Sequence, residues 1–394
     1  MRNGGSNVSV WVVVGGQFGS EGKGKVSAII TLQEEIDLCI RCGGPNSGHS
    51  FEGRDGKMVL LRQLPTGFVR PQTRLLIPAG GLLDLDVLRS EIESLGLDAD
   101  RVGVDRNAMV ITSDDREHER RLAMSERLSS TLCGVGSAVA RRALRTDDVD
   151  LAASAATSHQ WLRPFVTDVS AEANTAVDSG KKILIEGTQG SGLSLYHSRY
   201  YPKATSRDTN AAGFVSEVGL SPRLVSEVVL VFRTFPIRVA GAQAGPLSEE
   251  LTWEQLQDES HSPVPLHEYT SVTHKLRRLG RFDWGAAATA IQLNRPTRIA
   301  VNFLDYIDFK NRSASGWAAL TSGAKNFVAT LEKACATRAL YLGTGPRLLD
   351  NVQPAAGIGT PSFTEQNCGF PTGHATEPDC RVSELLEPSN GHAI

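Results

Sequence analysis

Short runs of apolar, β-branched residues alternate along this chain with longer segments whose apolar positions recur at helical spacing. The short runs predict buried strands, and the longer segments predict helices that cover them. We therefore expect an α/β fold with a mainly parallel central sheet flanked by helices. The predicted strands are Val8–Val14, Leu38–Arg41, Arg74–Ile77, Met109–Thr112, Lys182–Glu186, Val228–Phe232, Ile299–Leu304 and Ala339–Leu342.

The same pattern predicts helices and a change of character near the end of the chain. Leu85–Leu95 carries its apolar residues on one face, whereas Asp114–Leu128 is dense in charge and should be exposed on one side. From about Asn351 onward, proline, glycine and polar residues dominate and the periodicity stops. We expect one folded domain over residues 1–350 and an extended or partly disordered tail over 351–394.

Composition narrows the classes of function. The formal net charge of −3 gives no global attraction to nucleic acid, and no apolar run approaches the length of a membrane span. We expect no nucleic-acid or membrane partner and a cytoplasmic location, in the host cytoplasm if the chain is phage-encoded. Cys39 and Cys42 form a C-x-x-C pair, but they lie on a predicted strand and should face opposite ways, which favours structural roles over a metal or redox site.

A glycine-rich loop, Gly15–Lys25, follows the first strand and is the strongest local signal of function. Glycines let backbone amides approach phosphate closely, a following helix offers its positive end, and lysines add charge. The spacing is not that of a regular Walker A loop, and Gly24 stands where serine or threonine would bind magnesium. The alternative is a tight strand-to-helix turn with surface lysines. The density of glycines and lysines in this loop favours the phosphate-binding interpretation.

This loop resembles the G-x-Q-[WF]-G-D-E-G-K-G-K signature of adenylosuccinate synthetases, and Arg41–Ser50 resembles their G-G-x-N-A-G-H-T block. Further blocks resemble the family in the same order along the chain: Glu186–Gly190, Thr205–Ala211, Gly285–Leu293, Asn302–Asp305 and Gly343–Pro346. The resemblance implies a P-loop-related fold and a ligase domain over residues 1–350. It also implies a reaction in which L-aspartate is joined to C6 of a purine nucleotide through a 6-phosphoryl intermediate, with a purine nucleoside triphosphate and Mg²⁺.

The resemblance also implies roles for individual residues. The catalytic set is His49, Ser20, Lys23 and Gln189, with Gly48 and Ser20 at the metal. The triphosphate set is Gly19, Glu21, Gly22, Gly24, Lys25, Asp305, Gly345 and Pro346. The purine monophosphate set is Asn46, Ser130, Thr131, Arg141, Gln189 and Thr205, and the aspartate set is Thr273, Lys275 and Arg277. In the family, the equivalent of Arg141 reaches into the neighbouring subunit's site, so a homodimer is expected; a solvated basic pair with Arg142 is the competing interpretation.

Three departures from the family pattern bear on the substrates. Ser20 replaces the aspartate that takes the N1 proton, which leaves room for a 2-amino group and resembles the phage 2-aminoadenylosuccinate synthetases that act on dGMP. Lys275 replaces an arginine near the ribose 2′-hydroxyl, and the lysine of the guanine-reading K-x-D pattern is missing before Asp305. We expect dGMP, L-aspartate and ATP, dATP or GTP as substrates. The alternatives are ordinary adenylosuccinate synthesis from IMP and GTP, or an inactive nucleotide-binding regulator.

Overall fold

The computed structural model describes residues 9–53, 56–147, 149–270 and 273–353. Its strands are β1 (Val10–Gly15), β2 (Leu38–Cys42), β3 (His49–Glu52), β4 (Met58–Leu61), β5 (Arg74–Ile77), β6 (Leu82–Leu83), β7 (Val102–Asp105), β8 (Met109–Val110), β9 (Val166–Thr167), β10 (Ile183–Gly187), β11 (Val225–Arg233), β12 (Ile237–Arg238), β13 (Glu250–Leu251), β14 (Arg278–Gly280), β15 (Arg298–Asn302), β16 (Ala339–Gly343) and β17 (Asn351–Val352). Its α-helices are α1 (Lys23–Gln33), α2 (Leu85–Ser94), α3 (Ser113–Arg121), α4 (Met124–Leu128), α5 (Val135–Leu144), α6 (Ala152–Ser158), α7 (Val169–Asp178), α8 (Ala211–Val218), α9 (Trp253–Ser260), α10 (Trp284–Asn294) and α11 (Ser322–Cys335).

A ten-stranded sheet organises the molecule in the order β17-β16-β15-β11-β1-β10-β2-β5-β7-β9. Its neighbouring strands are parallel except for the antiparallel pair of β16 and β17 at one edge. The predicted α/β class with a mainly parallel sheet is therefore confirmed. A three-stranded sheet of β12, β14 and β13 and the β3–β4 hairpin lie outside it.

Both faces of the central sheet are buried, so its strands are apolar on both sides. In β1, Val10, Val12 and Val14 pack into one hydrophobic core, whereas Trp11 and Val13 pack into the core on the other face. The short parallel strands end at a common edge, where their loops meet. That edge is where ligand sites form in sheets of this type.

The C-x-x-C pair occupies these two cores separately. Cys39 is buried in the core that holds Val13, and Cys42 is buried in the core that holds Val12. Both thiols are free, and burial raises the pKa of each well above its ordinary value. No group of three or more metal-ligating side chains occurs within the ranges the structure describes. The prediction that the two side chains face opposite ways is confirmed, and their structural role stays a prediction.

Two elements differ from the expected ones for identifiable reasons. The helix predicted over Asp114–Leu128 is two helices, because Ala123 takes a left-handed φ of 50° between α3 and α4. The strand predicted over Met109–Thr112 ends at Val110, and Thr112 instead caps α3 in a reciprocal pair with Asp115. In its place the central sheet uses β7, whose short V-G-V-D sequence gave little pattern to read.

The end of the described chain adds one short strand. Asn351 and Val352 form β17 just past the predicted end of the folded domain, while the rest of the predicted tail, 354–394, lies outside the described residues. The division into a ligase domain and a tail stays a prediction. Among the helices of the described ranges, none has the length and apolar character to cross a membrane.

Candidate active site

A cavity of about 470 Å³ opens at the carboxyl ends of the central strands. Three loops build its floor: the glycine-rich loop after β1, the segment around Gly48 after β2, and the turn around Gln189 after β10. β1, β10 and β2 are adjacent in the sheet, so these loops converge although they are far apart in sequence. The cavity brings together these predicted site residues: Gly19, Ser20, Gly22, Lys23, Gly24, Asn46, Gly48, His49, Ser130, Thr131, Gln189, Thr205 and Arg277.

The glycine-rich loop is organised around the buried carboxylate of Glu21. Its Oε1 accepts hydrogen bonds from the backbone amides of Gln17 at 3.1 Å and Gly19 at 2.8 Å, and its Oε2 lies 2.5 Å from Lys23 Nζ. Gly19 and Ser20 both have positive φ, at 90° and 59°. Glu21 therefore lies beneath the loop and sets its shape, while Lys23 reaches the cavity wall beside it.

His49 explains why the loop departs from the Walker A pattern. A Cβ on Gly24 would lie 2.6 Å from His49 Cβ, so the serine or threonine of that pattern has no room here. The position is a glycine because β3 brings the histidine directly against the start of α1. The imidazole of His49 therefore lies where a Walker A loop places its serine or threonine hydroxyl.

Glu186, at the end of β10, fixes the orientation of His49. The Nδ1 atom of His49 lies 2.5 Å from Glu186 Oε1, and Arg41 Nη1 donates to the same oxygen at 2.8 Å. We assign the Nδ1 proton to the bond with Glu186, because the carboxylate is ionised: burial favours its neutral form, but His49, Arg41 and Thr66 outweigh that effect and lower its pKa. The other ring nitrogen, Nε2, is buried without a partner among the described residues.

The imidazole is neutral in this state. Burial, followed by the positive charge of Arg41, lowers the pKa of His49 to about 4. An anionic ligand against Nε2 favours the protonated form, because its negative charge stabilises the imidazolium. The arrangement can therefore hold a proton at Nε2 once negative charge develops in front of it.

Ser20 is held on both sides by arginines. Arg277 Nη1 donates to Ser20 Oγ, and Arg233 Nη1 donates to Ser20 O at 3.0 Å. Arg233 is in turn paired with Glu268, whose Oε1 also accepts from the Tyr306 hydroxyl at 3.1 Å. Because Arg277 fills a lone pair of Oγ, the Ser20 hydroxyl has its own proton free to donate into the cavity.

Hydroxyls and amides line the end of the cavity assigned to the monophosphate. Gln189 Nε2 donates to Thr205 Oγ1 at 2.7 Å, and Gln189 Oε1 is buried without a partner among the described residues. Ser130 and Thr131 also line the cavity, on the segment between α4 and α5. This end suits a ligand with several oxygen atoms.

The remaining predicted residues lie outside the cavity wall. Lys25 Nζ donates to Gly345 O at 2.9 Å and to Asp350 O at 2.5 Å, so it holds the segment that contains Gly345 and Pro346. Asp305 is buried and pairs with Arg312, and Arg141 pairs with Asp115 on α3. Thr273 and Lys275 are exposed, although the Thr273 hydroxyl lies 2.6 Å from that of Thr270, which is in the wall.

Several residues of the wall were not predicted from sequence. Glu119 accepts hydrogen bonds from the amides of Gly134 at 2.9 Å and Gly136 at 2.8 Å, and so fixes the start of α5. Glu268 and Arg238 are further charged residues of the wall. No motif marks any of the three, because each reaches the cavity through tertiary packing.

The donor set fits Mg²⁺ only in part. Gly48 and Ser20 are in the wall, but Ser20 Oγ already accepts from the Arg277 guanidinium, which disfavours a cation at the same oxygen. Mg²⁺ commonly takes most of its ligands from substrate phosphates and water. The geometry therefore fits a metal held mainly by phosphate oxygens beside Gly48, with little contribution from Ser20.

Comparisons with known proteins show which family this chain resembles. A family model described as adenylosuccinate synthetase matches residues 12–152 and 146–312. The adenylosuccinate synthetase of Thermococcus sibiricus is 38% identical over 343 residues, which cover 86% of this chain and 96% of that protein. The enzyme of Methanocaldococcus jannaschii is 36% identical over 344 residues, which cover 86% and 94%.

Two solved structures share the fold. Fully ligated adenylosuccinate synthetase from Plasmodium falciparum superimposes with a TM-score of 0.76 at 21% identity, over 88% of this chain and 100% of that one. The cyanophage S-2L succinoaminodeoxyadenylate synthetase, bound to dGMP and to dATP as an energy donor, superimposes with a TM-score of 0.75 at 27% identity, over 90% of this chain and 96% of that one.

Proposed function

Because the chain belongs to the adenylosuccinate synthetase family, we propose that it joins L-aspartate to C6 of dGMP to give 2-amino-2′-deoxyadenylosuccinate for diaminopurine DNA. Members of the family are carbon–nitrogen ligases that use a nucleoside triphosphate, and this chain is one of them. The choice of dGMP over IMP is the finer step, and one observation carries it. Ser20 occupies the position of the family's aspartate, and its hydroxyl is bonded to Arg277.

The size and polarity of Ser20 both favour a 2-aminopurine. Serine is shorter than aspartate, so it leaves space beside C2 of the base. It also brings no negative charge, and its hydroxyl proton is free because Arg277 fills an acceptor site of Oγ. A hydroxyl that donates stabilises the deprotonated N1 of guanine better than the N1–H form. Since serine is no base at neutral pH, the N1 proton leaves to water in this proposal.

The remaining site residues match the demands of the reaction. Loss of the N1 proton builds negative charge on O6, which attacks the γ-phosphorus of the triphosphate and releases the nucleoside diphosphate. The amino group of aspartate then attacks C6, the C6–O bond breaks so that phosphate leaves, and the nitrogen gives up a proton. His49 Nε2 faces the oxygen that changes hands and holds a proton against its charge, while Lys23 and the loop amides neutralise the phosphates. Gln189 reads the purine edge with an amide that both donates and accepts. Bound Mg²⁺ supplies further neutralisation of the phosphate oxygens.

ATP or dATP fits the donor site better than GTP. A guanine edge pairs with both oxygens of a carboxylate, and Arg312 competes for one of them because it already donates to Asp305 Oδ2 at 2.6 Å. Phe303 stands where the K-x-D pattern places its lysine, two residues before Asp305, and it offers the base no charge. The dATP-bound cyanophage structure supports the same choice.

Assembly and location follow the family in this proposal. Arg141 lies outside the cavity of its own chain, on α5, where a partner subunit could receive it. We therefore propose a homodimer in the cytoplasm, or in the host cytoplasm if the chain is phage-encoded. The alternatives are an adenylosuccinate synthetase that uses IMP and GTP, and an inactive regulator.

The test is aspartate- and magnesium-dependent phosphate release, with dGMP or IMP offered separately against ATP, dATP and GTP. Turnover with dGMP and not with IMP supports the proposal. Turnover with IMP alone would show an ordinary adenylosuccinate synthetase. Nucleotide binding without phosphate release, from both dGMP and IMP, favours the inactive regulator.

A pair of variants separates charge from size at position 20. Ser20→Asp restores a carboxylate, and we expect it to gain turnover with IMP and to lose at least tenfold in kcat/KM with dGMP. Ser20→Asn has nearly the same size without the charge, so it should lose dGMP turnover and gain none with IMP. If both variants keep the wild-type preference, Ser20 does not select the base.

A further inference from the structure

Arg238, the last residue of β12, is a buried cation in the cavity wall to which the sequence assigned no role. Only 3% of its surface is exposed. Its guanidinium carbon lies 3.8 Å from the centre of the Phe18 ring and 5.0 Å from that of Tyr200. Nη1 donates to the carbonyl of Ala244. Stacking and this hydrogen bond fix the plane and position of the guanidinium.

One edge of this fixed guanidinium has no partner. Nε and Nη2 are both buried and make no hydrogen bond within the described residues. These two N–H groups lie on the same side of the guanidinium and form the fork that binds a carboxylate or phosphate through two parallel bonds. Buried donors normally have partners, so an oriented but empty fork indicates a ligand that is not part of the chain.

The charges around Arg238 point to an anion. Burial lowers the pKa of Arg238 to about 10; Tyr200 opposes this effect and the nearby Arg278 adds to it. A Cβ on Gly245 would lie 2.8 Å from Arg238 Nη1 and 3.2 Å from Lys203 Cβ, so a second cationic side chain starts close by. No ion pair of Arg238 with a carboxylate occurs among the described residues. A buried cation without a counter-charge is costly, and an anionic ligand removes that cost.

The surroundings favour phosphate over a carboxylate. The wall of the same cavity also carries hydroxyl side chains: Ser129, Ser130, Thr131, Thr205 and Ser206. A Cβ on Gly241, in the turn that follows Arg238, would lie 3.2 Å from Ser129 Oγ, which joins the hydroxyl segment to this turn. A phosphate has enough oxygens for several hydroxyls and a fork at once. The carboxylates of aspartate are expected instead near Arg277.

We propose that Arg238 binds the phosphate of the nucleoside monophosphate through its Nε–Nη2 edge. The proposal rests on the proposed function in taking a purine nucleoside monophosphate as substrate, but not in the choice between dGMP and IMP. Arg238 thereby supplies a charged contact from the same chain, beside the hydroxyl groups of that end of the cavity.

The experiment compares Arg238→Met and Arg238→Lys with the wild-type enzyme. Loss of a charge-assisted fork should raise the Kd and KM for dGMP about 10- to 100-fold in Arg238→Met, with a smaller increase in Arg238→Lys, which keeps the charge. The KM values for the triphosphate and for L-aspartate should stay within about threefold. Inorganic phosphate, tested as a competitor of dGMP, should inhibit Arg238→Met less than the wild type.

A matched control is Arg199→Met. Arg199 also lies 5.0 Å from the Tyr200 ring but is absent from the main cavity wall, so its loss should leave all three KM values unchanged. Titration with IMP separates the two proposals: the loss of affinity in Arg238→Met should be equal for dGMP and IMP, whichever base the enzyme prefers.

An increase in the KM for aspartate alone would assign Arg238 to a carboxylate. A fall in kcat with no change in the KM for dGMP would show that it acts only by holding Phe18. Either result overturns the proposal.

Discussion

Replacing Glu186 by glutamine should disable His49 without changing the shape of the site. The carboxylate is fully buried, and it accepts from His49 Nδ1 at 2.5 Å, Arg41 Nη1 at 2.8 Å, and the amide and hydroxyl of Thr66 at 2.9 and 2.6 Å. Glutamine retains the volume but loses the charge, and its NH₂ group faces donors. Arg41, 2% exposed, is then left without its buried counter-charge.

The size of the effect follows from these contacts. Removing one partner of a buried ion pair costs about 3–5 kcal/mol of unfolding free energy. Loss of the oriented imidazole should lower kcat by roughly 100-fold, at the lower end of the range for acid–base catalysis. Glu186 also raises the pKa of His49 against the effect of burial, so its loss moves the His49 titration to lower pH.

The assay is kcat across pH, together with thermal unfolding of the same samples. Thr66→Val is the matched control: it removes a hydroxyl bond to the same carboxylate and leaves the charge and the histidine contact in place. We expect Thr66→Val to lose stability but to keep kcat within about threefold and the wild-type pH profile. If Glu186→Gln loses only stability, with kcat and its pH dependence unchanged, the carboxylate does not act through His49 and the reasoning is wrong.

Two further predictions concern stability and the monophosphate end. The pKa of His49 is about 4 in the folded protein and 6.5 in the unfolded chain, so the unfolded chain binds more protons between these pH values. The free energy of unfolding should therefore be highest above pH 6.5 and fall by roughly 3 kcal/mol as the pH drops to 4. Denaturant titrations at several pH values should show this fall in unfolding free energy for the wild type and not for His49→Gln. The same pH dependence in both proteins would contradict the prediction. Glu119→Gln leaves only one oxygen for the amides of Gly134 and Gly136, so the KM for dGMP should rise about tenfold while the KM for the triphosphate does not. An equal rise in both KM values would mean that Glu119 supports the whole cavity.

The sequence was informative where chemistry is local. The glycine-rich loop lies directly after an apolar strand, so its position at the carboxyl edge of a parallel sheet could be predicted from pattern alone. Cys39 and Cys42 were assigned to opposite faces from strand geometry, as the structure confirms. Thr112 and Asp115 form a capping box whose sequence signal was available and marks the start of α3.

The contacts that complete the site could not be read in this way. Ser20 and Arg277 are 257 residues apart, and their hydrogen bond depends on how a separate three-stranded sheet packs against the main one. Arg238 and Glu268 belong to that same region. An isolated charged residue in a sequence is usually read as a surface residue, so neither was expected in the cavity wall. Periodicity predicts which face of an element is buried, but it does not predict which polar side chains are buried with it.

The separation of Cys39 and Cys42 also makes them natural reporters of how the protein opens. Each thiol is sealed in a different layer, so neither can react with an alkylating reagent until that layer opens. Variants that keep one of the two cysteines at a time, in a background without the other cysteines, would therefore measure the opening of each layer separately. Equal labelling rates would mean that the two layers open in one cooperative step, and unequal rates would identify the layer that yields first.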